Sequence, residues 1–231
     1  MREESPGKKK ILAIMAHPDD AELSSGGTIA RWNQEGHEIN YVVCTDGSKG
    51  TKDTEMSPHR LAELREKEQE AAAAVLGVKR VTFLRHRDGE LEASLVFRNE
   101  LATLIRHHQP DTILTHDPWR PYMIHPDHRA VGMTATDGVV AARDHLYSPA
   151  LLAIGLQPHS PKEILYTFPD NPDLISDISD FIEIKMEAVA QHHSQMAIMK
   201  DWQERVRGRA SRLAEGQSFS FAEIFRRMVL S

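Results

Sequence analysis

One histidine and two adjacent carboxylates lie within four residues, His17 to Asp20, of the segment Ala16–Glu22. Neighbouring carboxylates repel each other unless a positive charge compensates them. A divalent cation would do so by taking one of them as a ligand and leaving the other for proton transfer. The spacing alone does not decide which of Asp19 and Asp20 is the ligand. A simpler interpretation is that both cap a following helix, because aspartate is favoured near helix N-termini.

A second cluster, His125-Pro126-Asp127-His128, combines two histidines and a carboxylate. On a helix, His125 and His128 are three residues apart and face the same way. The dipole at a helix N-terminus disfavours imidazolium, so we expect both rings to be neutral near pH 7. Neutral imidazole is the form that binds metal ions. The alternative is an ordinary cap of a surface helix.

Both clusters directly follow predicted buried strands, Lys10–Ala16 and Asp111–Thr115. Strands alternate with helices along the chain, which is typical of a mostly parallel sheet covered on both faces. In such folds, ligands bind at the carboxyl ends of the strands. The two clusters should therefore meet there. Two histidines and one carboxylate, with a position left for water, are a usual ligand set of catalytic zinc.

The remaining predicted elements complete an α/β, Rossmann-like three-layer α/β/α fold in a single domain over residues 1–231. The further predicted strands are Glu38–Cys44, Arg80–Leu84, Glu163–Phe168 and Ile178–Ile184; the predicted helices are Gly26–Glu35, Pro58–Leu76, Leu95–His108, Pro126–Ala142 and Glu183–Met199. Residues 1–9 are expected to form a flexible N-terminal tail. The polar stretch Arg205–Ser220 is interpreted as a solvated helix and linker, with a lid or subunit contact within residues 200–220 as the alternative.

Composition excludes several classes of protein. The chain has 231 residues, 13 histidines and a formal net charge of −6, which argues against a dedicated nucleic-acid binder. Its one cysteine, Cys44, cannot form an intramolecular disulfide. No apolar run approaches the roughly 20 residues of a membrane span, and no signal peptide is evident at the N-terminus. We therefore expect a cytoplasmic protein without an integral membrane segment or a nucleic-acid partner.

The two clusters resemble the signature motifs AHPDD and HPDH of the LmbE-like, or PIG-L, family of zinc-dependent de-N-acetylases. Further similarities extend over nearly the whole chain. They are Arg65 and Glu68 in an R-x-x-E helix, the loop Asp88-Gly89-Glu90-Leu91, a late helix with Lys185, Ala188, His192, Ser194 and Gln195, and the ending Phe221-Ala222-Glu223 with Phe225. The resemblance implies the LmbE-like form of the predicted fold. It also implies a hydrolase that releases acetate from N-acetylglucosaminyl conjugates.

The resemblance also assigns roles to individual residues, and it selects Asp20 over Asp19 as the ligand. It implies that zinc (Zn2+) is held by His17, Asp20 and His128. Asp19 would be the general base, His125 would stabilise the oxyanion or protonate the amine, and Asp127 would orient a histidine. The implied substrate-binding residues are Arg65, Asp88 and His192. His193, beside His192, could shift that last match by one position. Relatives of this kind often form trimers or hexamers, which implies a homo-oligomer.

Other functions remain open at this point. The same three ligands describe the facial triad of non-haem iron(II) oxygenases, although Asp19 would then have no role. A metal-containing binding protein without turnover, or an amidohydrolase acting on a non-sugar acylated amine, also fits. The ligands could hold iron, cobalt or manganese instead of zinc. We expect the loop Gly47–Ser57 to shape the mouth of the pocket, but its sequence does not identify the substrate.

Overall fold

The computed structural model describes residues 7–230, which are built around a seven-stranded sheet of order β3-β2-β1-β4-β5-β7-β6. Its strands are β1 (Lys10–Met15), β2 (Glu38–Thr45), β3 (Arg80–His86), β4 (Thr112–His116), β5 (Glu163–Thr167), β6 (Leu174–Asp177) and β7 (Ala222–Val229). The first five strands in the chain pair in parallel, and β7 pairs antiparallel with both β5 and β6. The prediction of a mostly parallel α/β sheet is confirmed.

Helices cover both faces of this sheet. They are α1 (Asp20–Gln34), α2 (Pro58–Val75), α3 (Leu95–His108), α4 (Pro126–Arg143), α5 (Ala150–Ala153), α6 (Ile182–Ala190), α7 (His193–Met196) and α8 (Trp202–Leu213). Apolar side chains of α3 and α4 pack on one face, and those of α1, α2 and α6 pack on the other. Strand β1 is buried from Ile11 onward because both faces are covered, which is why its sequence is continuously apolar rather than alternating.

The ends of the helices follow from their local sequence. The Ser57 side chain accepts a hydrogen bond from the Arg60 amide at the start of α2, where Pro58 occupies the first turn. Gly77 follows the end of that helix with φ of +71°, a conformation that glycine adopts without steric cost. Ser94 caps α3 in the same way as Ser57 caps α2. These predicted boundaries are confirmed to within a residue or two.

The first helix begins six residues earlier than the predicted start at Gly26. Its sequence lacks an obvious apolar stripe because small residues pack closely against α6 and the turn before it. A Cβ added to Gly27 would lie 2.7 Å from the Ile178 side chain, and one added to Gly26 would lie 3.2 Å from Lys185. Close packing of small residues, rather than large apolar side chains, holds α1 in place.

The C-terminal part of the chain differs most from the prediction. The strand predicted at Ile178–Ile184 is wrong, because residues 179–181 form a 3-10 turn and Ile182 begins α6, while the strand lies just before, at β6. The helix predicted at Glu183–Met199 is two helices separated at Gln191 and His192. Strand β7 was not predicted. It carries the buried Glu223, whose ion pair with Lys185 no local pattern reveals.

Residues 1–6 of the predicted N-terminal tail lie outside the described residues. Within the rest of that segment, the Lys9 amide donates to His37 Nδ1 at 3.2 Å. Segment 200–220 contains α8, which packs through Val206 and Ala210. No helix within residues 7–230 is long and apolar enough to cross a membrane.

Arg106, a buried arginine on α3, holds the C-terminal end of α4 in place through hydrogen bonds. Arg106 is 1% exposed, and its guanidinium donates to the carbonyl oxygens of Ala142 (2.9 Å), Asp144 (2.8 Å), Ala141 (3.3 Å) and Ser148 (3.3 Å). Arg106→Met keeps much of the side-chain volume but removes all four of these hydrogen bonds. We expect a loss of about 2–5 kcal/mol in the free energy of unfolding, because a buried network of charge-assisted hydrogen bonds is lost.

Urea denaturation measures this loss, with Arg143→Met as the matched control. Arg143 is exposed in the last turn of α4, and its replacement should change the free energy of unfolding by less than about 0.5 kcal/mol. Equal effects of the two substitutions would contradict the proposed role of Arg106.

Candidate metal centre

The two predicted clusters meet where the order of the strands reverses. Strand β1 lies between β2 and β4, the chain leaves β1 into α1 on one face, and it leaves β4 toward α4 on the other. A crevice opens at the carboxyl ends of two such strands. Gly132 lets α4 approach closely, because a Cβ there would lie 2.5 Å from the His116 carbonyl oxygen. Helix α4 thereby brings its first turn over the end of β1.

A cavity of about 280 Å³ occupies this crevice. It is lined by His17, Asp19, Asp20, Lys49, Gly50, Arg65, Asp88, His125, His128 and Gln195. Seven of the nine predicted site residues are among them. The other two, Asp127 and His192, lie behind the wall and are fully buried.

Three of the lining residues point nitrogen or oxygen atoms at a common point. His17 Nδ1 lies 3.1 Å from His128 Nε2 and 3.4 Å from Asp20 Oδ2, and His128 Nε2 lies 3.3 Å from Asp20 Oδ1. Two tetrahedral zinc ligands with bonds of about 2.0–2.1 Å are separated by about 3.3 Å. The spacing of these three side chains therefore fits a zinc-sized tetrahedral ion.

The wider donor set offers other groupings around the same point. Three overlapping groups have donor atoms within 4.8 Å of one another: His17, His125 and His128; Asp20, His116 and His128; and His17, Asp88, His125 and Asp127. His128 joins the first two groups, and His17 joins the first and the third. His125 also joins the first and the third, whereas Asp20 belongs to the second group alone. Two residues of the predicted set, His17 and His128, thus lie where these groups overlap.

His116 is a member that the sequence analysis missed. It ends β4 in a buried position, and its ring stacks on that of His128 with centroids 4.1 Å apart. Its Nε2 accepts a hydrogen bond from the Ala16 amide at 3.1 Å and lies 3.2 Å from Asp20 Oδ2. Burial lowers the pKa of His116 to about 4, so the ring is neutral at pH 7. The one lone pair of Nε2 is therefore engaged by the Ala16 amide, and His116 packs against His128 and Asp20. Its position at the end of a predicted strand was the available signal.

The far side of the His17 ring is held by two carboxylates. Its Nε2 lies 3.1 Å from Asp127 Oδ2 and 3.1 Å from Asp88 Oδ1. Asp127 also accepts the amides of Gly89 (2.7 Å) and Leu91 (3.2 Å). A carboxylate on the second nitrogen fixes the tautomer of a ligating histidine and strengthens it as a ligand. The arrangement directs Nδ1 of His17 toward Asp20 and His128.

The two adjacent aspartates face different partners. Asp20 turns to the histidines, whereas Asp19 Oδ2 accepts from the Arg65 guanidinium at 3.2 Å. Asp19 has a φ of +100°, which is strained for a residue with a Cβ. Its amide donates to Gln69 Oε1 at 3.0 Å, and Arg65 also donates to the carbonyls of Pro18 and Gly47. Gln69 and Arg65 of α2 therefore hold the strained turn.

His192 belongs to a buried chain of hydrogen bonds behind Asp19. Its Nε2 lies 3.1 Å from Glu22 Oε2, and the other oxygen of Glu22 accepts from Gln69 Nε2 at 3.0 Å. His192 and Glu22 are both fully buried. The structure places His192 two side chains away from Asp19 rather than on the cavity wall.

Asp88 and Arg65 line the cavity, but most of their polar atoms are engaged by the protein. Asp88 bonds to His17 through one oxygen and accepts the Lys49 amide at 2.9 Å through the other. Burial raises the pKa of Asp88, but the hydrogen bond and charge of His17, the Lys49 amide and the charge of Arg65 together outweigh it and lower that pKa to about 2. Arg65 Nε is buried and has no partner among the described residues.

The electrostatic balance of the site favours a cation. Burial lowers the pKa of His17, but hydrogen bonds to Asp127, Asp20 and Asp88 outweigh it, and the pKa lies well above its ordinary value. Burial raises the pKa of Asp20, yet the interaction with His128 holds it well below the ordinary range. The carboxylates that attract a proton to His17 would attract a divalent ion to the same place.

Asp19 and His125 are not among the three predicted ligands, and their pKa values shift in opposite directions. Burial raises the pKa of Asp19, against the opposing charge of Arg65. Burial lowers the pKa of His125, with help from His17 and His128. His125 Nδ1 is buried and has no hydrogen-bond partner within residues 7–230. The site thus holds a carboxylate suited to accept a proton and a neutral imidazole with a nitrogen to spare.

Three lining residues lie outside the predicted set: Lys49 and Gly50 come from the loop after β2, and Gln195 comes from α7. The Lys49 amide bonds to Asp88, and Gln195 Nε2 donates to the Gly50 carbonyl at 2.9 Å. The loop Gly47–Ser57, which we expected to shape the pocket mouth, supplies Lys49 and Gly50 to the wall. Gln195 was noted only as part of a family-like pattern, and no spacing rule could have placed it here.

Comparisons with known proteins agree with this geometry. The family model described as PIG-L, GlcNAc-PI de-N-acetylase, matches residues 12–139. A diacetylchitobiose deacetylase of Thermococcus kodakarensis is 40% identical over 187 residues, which cover 81% of this chain and 70% of that protein. Residues 12–139, which the family model matches, contain both predicted clusters.

Two solved structures share the fold. An N,N'-diacetylchitobiose deacetylase from Pyrococcus horikoshii, complexed with its inhibitor MPG, superposes with a TM-score of 0.92 at 39% identity, over 96% of this chain and 85% of that one. GalB, a 4-carboxy-2-hydroxymuconate hydratase from Pseudomonas putida, superposes with a TM-score of 0.81 at 22% identity, over 96% and 97%. The second likeness concerns the fold alone, so the fold does not decide the reaction.

Proposed function

The chain belongs to the PIG-L family, and on that premise we propose that it is a metal-dependent hydrolase that removes an N-acetyl group from an amino-sugar conjugate. We further propose zinc as the ion, held by His17, Asp20 and His128. The products are acetate and the free amine. The named deacetylases among the relatives support the reaction, and the 3.1–3.4 Å donor spacing supports the ion.

The separation of Asp19 from Asp20 carries this proposal. One carboxylate belongs to the histidine cluster, and its neighbour faces the cavity in contact with Arg65. A metal site that only bound an ion would need no second carboxylate in a strained backbone conformation. This separation supports the proposed roles of one residue as a ligand and its neighbour as a proton acceptor, both of which amide hydrolysis requires.

In the proposed reaction one proton is transferred, a carbon–oxygen bond forms and the carbon–nitrogen bond of the acetamide breaks. When bound, a zinc ion would acidify a water molecule and polarise the acetamide carbonyl. Asp19 accepts the proton from the attacking water as its oxygen bonds to the carbonyl carbon. His125 donates a hydrogen bond to the carbonyl oxygen as negative charge develops there. The carbon–nitrogen bond then breaks, and the proton taken by Asp19 is delivered to the departing amine.

Asp127 has a supporting role in this proposal. Its carboxylate holds the His17 ring and ties it to the amides that follow β3. Asp88 and Arg65, with Lys49 at the mouth, are the proposed contacts for sugar hydroxyl groups, since they line the cavity beside the metal position. His192 is proposed to affect the substrate through Glu22 and Gln69, since it does not line the cavity.

Metal analysis combined with an acetate assay tests the proposal. We expect about one zinc per chain in purified protein, and acetate release from N,N'-diacetylchitobiose or a related N-acetylglucosaminyl compound. Release should stop on chelation and return when zinc is added back. Bound metal without acetate release from any N-acetylated sugar would overturn the proposed reaction. A folded protein that binds no divalent ion would overturn the proposed centre.

An iron(II) oxygenase is the alternative with the same three ligands. It would require iron for activity and would consume oxygen, and Asp19 would be dispensable. Measuring activity with zinc alone under anaerobic conditions separates the two, because hydrolysis needs no oxidant. Full activity of the zinc form without oxygen is the expected result.

Gln69 offers a prediction specific to this structure. Gln69→Ala removes the acceptor that holds the Asp19 amide, so we expect kcat to fall about 10- to 100-fold, because a small misplacement of a catalytic group has effects of that size. KM and the metal content should change little, since Gln69 bonds to none of the three proposed ligands and does not itself line the cavity. Gln34→Ala, at an exposed helix end, is the control and should keep full activity. Loss of metal in Gln69→Ala would contradict this role.

A homo-oligomer and a cytoplasmic location complete the proposal. Both rest on the family resemblance and on the sequence rather than on the structure. Light scattering of the purified protein and fractionation of the source cells test them directly.

A further inference from the structure

A second cavity, larger than the metal site, lies between α1, α6, α8 and β7. It has a volume of about 490 Å³, which is the size of a small-molecule site. It shares no lining residue with the cavity of the metal centre. Its walls are largely apolar, with Leu23, Phe168, Val206, Leu213 and Ile224 among them. We refer to it as the α8 groove.

Positive charge is concentrated in this groove although the chain as a whole carries a net charge of −6. Arg205, Arg209 and Arg212 line it from one side of α8, since they are spaced by four and three residues. Within residues 7–230, none of the three has a carboxylate within 4 Å. By contrast, Arg207, on the same helix, pairs with Glu183. The three arginines therefore lack a carboxylate partner of the kind that Arg207 has.

The other charged residues of the groove do not compensate them. Lys185 and Glu223 form a buried ion pair with a 2.6 Å contact and neutralise each other. Glu204 also lines the groove. The lining thus has four cations and two carboxylates, and one of those carboxylates is already paired with Lys185.

Arg209 lies at the centre of this arrangement. Its guanidinium carbon lies 3.7 Å from the centroid of the Phe168 ring, a cation–π contact that holds the planar group in place. The side chain is partly buried, and burial together with the charges of Arg120 and Arg212 lowers its pKa. A held guanidinium presents several N–H donors in fixed directions and recognises a carboxylate or phosphate through two parallel hydrogen bonds.

We propose that the α8 groove binds a small amphipathic anion, with its carboxylate or phosphate head on Arg209 and its apolar part against the groove walls. The charge complementarity and the apolar lining determine this class of ligand. Arg205 and Arg212, at exposed positions, add attraction at the mouth of the groove. The site is separate from the deacetylase centre, so occupancy does not require turnover.

Calorimetric titration with octanoate and with octyl phosphate tests this binding and shows which head group is preferred. Octanol and inorganic phosphate serve as the two half-ligands. We expect both anionic amphiphiles to bind, and each half-ligand to bind at least about tenfold more weakly, because a charge-assisted contact contributes that much or more. Equal affinity for octanol would overturn the role of the arginines, and equal affinity for inorganic phosphate would overturn the role of the walls.

Variants then locate the site. Arg209→Ala should weaken binding about tenfold or more, and the matched control Arg207→Ala should leave it unchanged. The double substitution Arg205→Ala with Arg212→Ala changes only exposed side chains, so it tests the groove without risk to folding, and it should weaken binding by a smaller factor. An equal loss of affinity in Arg207→Ala would overturn the assignment of the head group to Arg209.

Two further measurements distinguish a ligand site in the groove from an effect of the metal centre and from a contact between subunits. Asp20→Asn, which affects the metal centre, should bind octanoate as the unaltered chain does, so failure of the proposed function leaves this test intact. If light scattering shows that Arg209→Ala dissociates an oligomer and the unaltered chain binds neither amphiphile, the groove is covered by a second copy and the proposal is overturned.

Discussion

We expect Asp20→Asn to yield a folded protein that no longer retains its metal ion and releases no acetate. Asp20 is the only carboxylate among the three proposed ligands, and it lies within 3.4 Å of both His17 Nδ1 and His128 Nε2. A neutral amide in its place removes the negative charge that the ion requires in this buried site. We expect the affinity for zinc to fall at least about 100-fold, since even residues behind the ligands can cost that much.

Elemental analysis of the dialysed protein measures this loss directly. The metal content should fall from about one zinc per chain to a small fraction, and circular dichroism should show an unchanged helix content. His116→Asn is an informative second variant, because His116 contacts Asp20 without being a proposed ligand. It should weaken zinc binding by less than Asp20→Asn. Full metal retention in Asp20→Asn would refute the ligand assignment.

We expect the complementary effect from Asp19→Asn: the protein should keep its metal ion and lose its activity. The substituted side chain is nearly the same size and can still accept from Arg65, so the strained turn should persist. It cannot accept a proton from water. General-base catalysis contributes about 10²- to 10⁴-fold, and we expect kcat to fall by a factor in that range with little change in KM.

The comparison between the adjacent substitutions is the strongest test of the mechanism. Both remove one negative charge from the same turn, so a general electrostatic effect would make them alike. Different phenotypes, with metal loss in one and catalytic loss with metal retained in the other, require separate roles. Asp53→Asn, in an exposed stretch of the nearby loop, controls for loss of a carboxylate and should be fully active. If Asp19→Asn kept its activity, another residue would have to accept the proton.

The central sheet could be predicted because its strands carry their own signals. The continuous apolar run of β1 and the β-branched residues of β2 indicate buried parallel strands, and Ser57 and Gly77 mark the ends of α2 by local hydrogen bonding and backbone conformation. The position of the site then followed from topology, since both clusters lie at the carboxyl ends of adjacent strands.

What escaped prediction depends on contacts between residues far apart in the chain. The start of α1 depends on the packing of its glycines against Lys185 and Ile178. Strand β7 pairs antiparallel at the end of the chain and carries the buried Glu223. Gln69 acts through its hydrogen bond to the Asp19 amide, which no spacing rule marks. His116 lies directly after a predicted strand, but its contact with Asp20 is likewise not readable from spacing. The single-domain organisation and the lid or contact role of residues 200–220 stay predictions.

The position of Arg65 divides the loop after β2 into two parts with different freedom to change. A Cβ at Gly47 or at Gly50 would lie 2.6 Å from the Arg65 guanidinium, which also holds Asp19. Substitutions there would disturb the proposed base, whatever the substrate. Residues 51–57 are largely exposed and make few such contacts. We therefore expect substitutions that alter the substrate range to be tolerated in the second part of the loop, while the first part is constrained by its contact with Arg65.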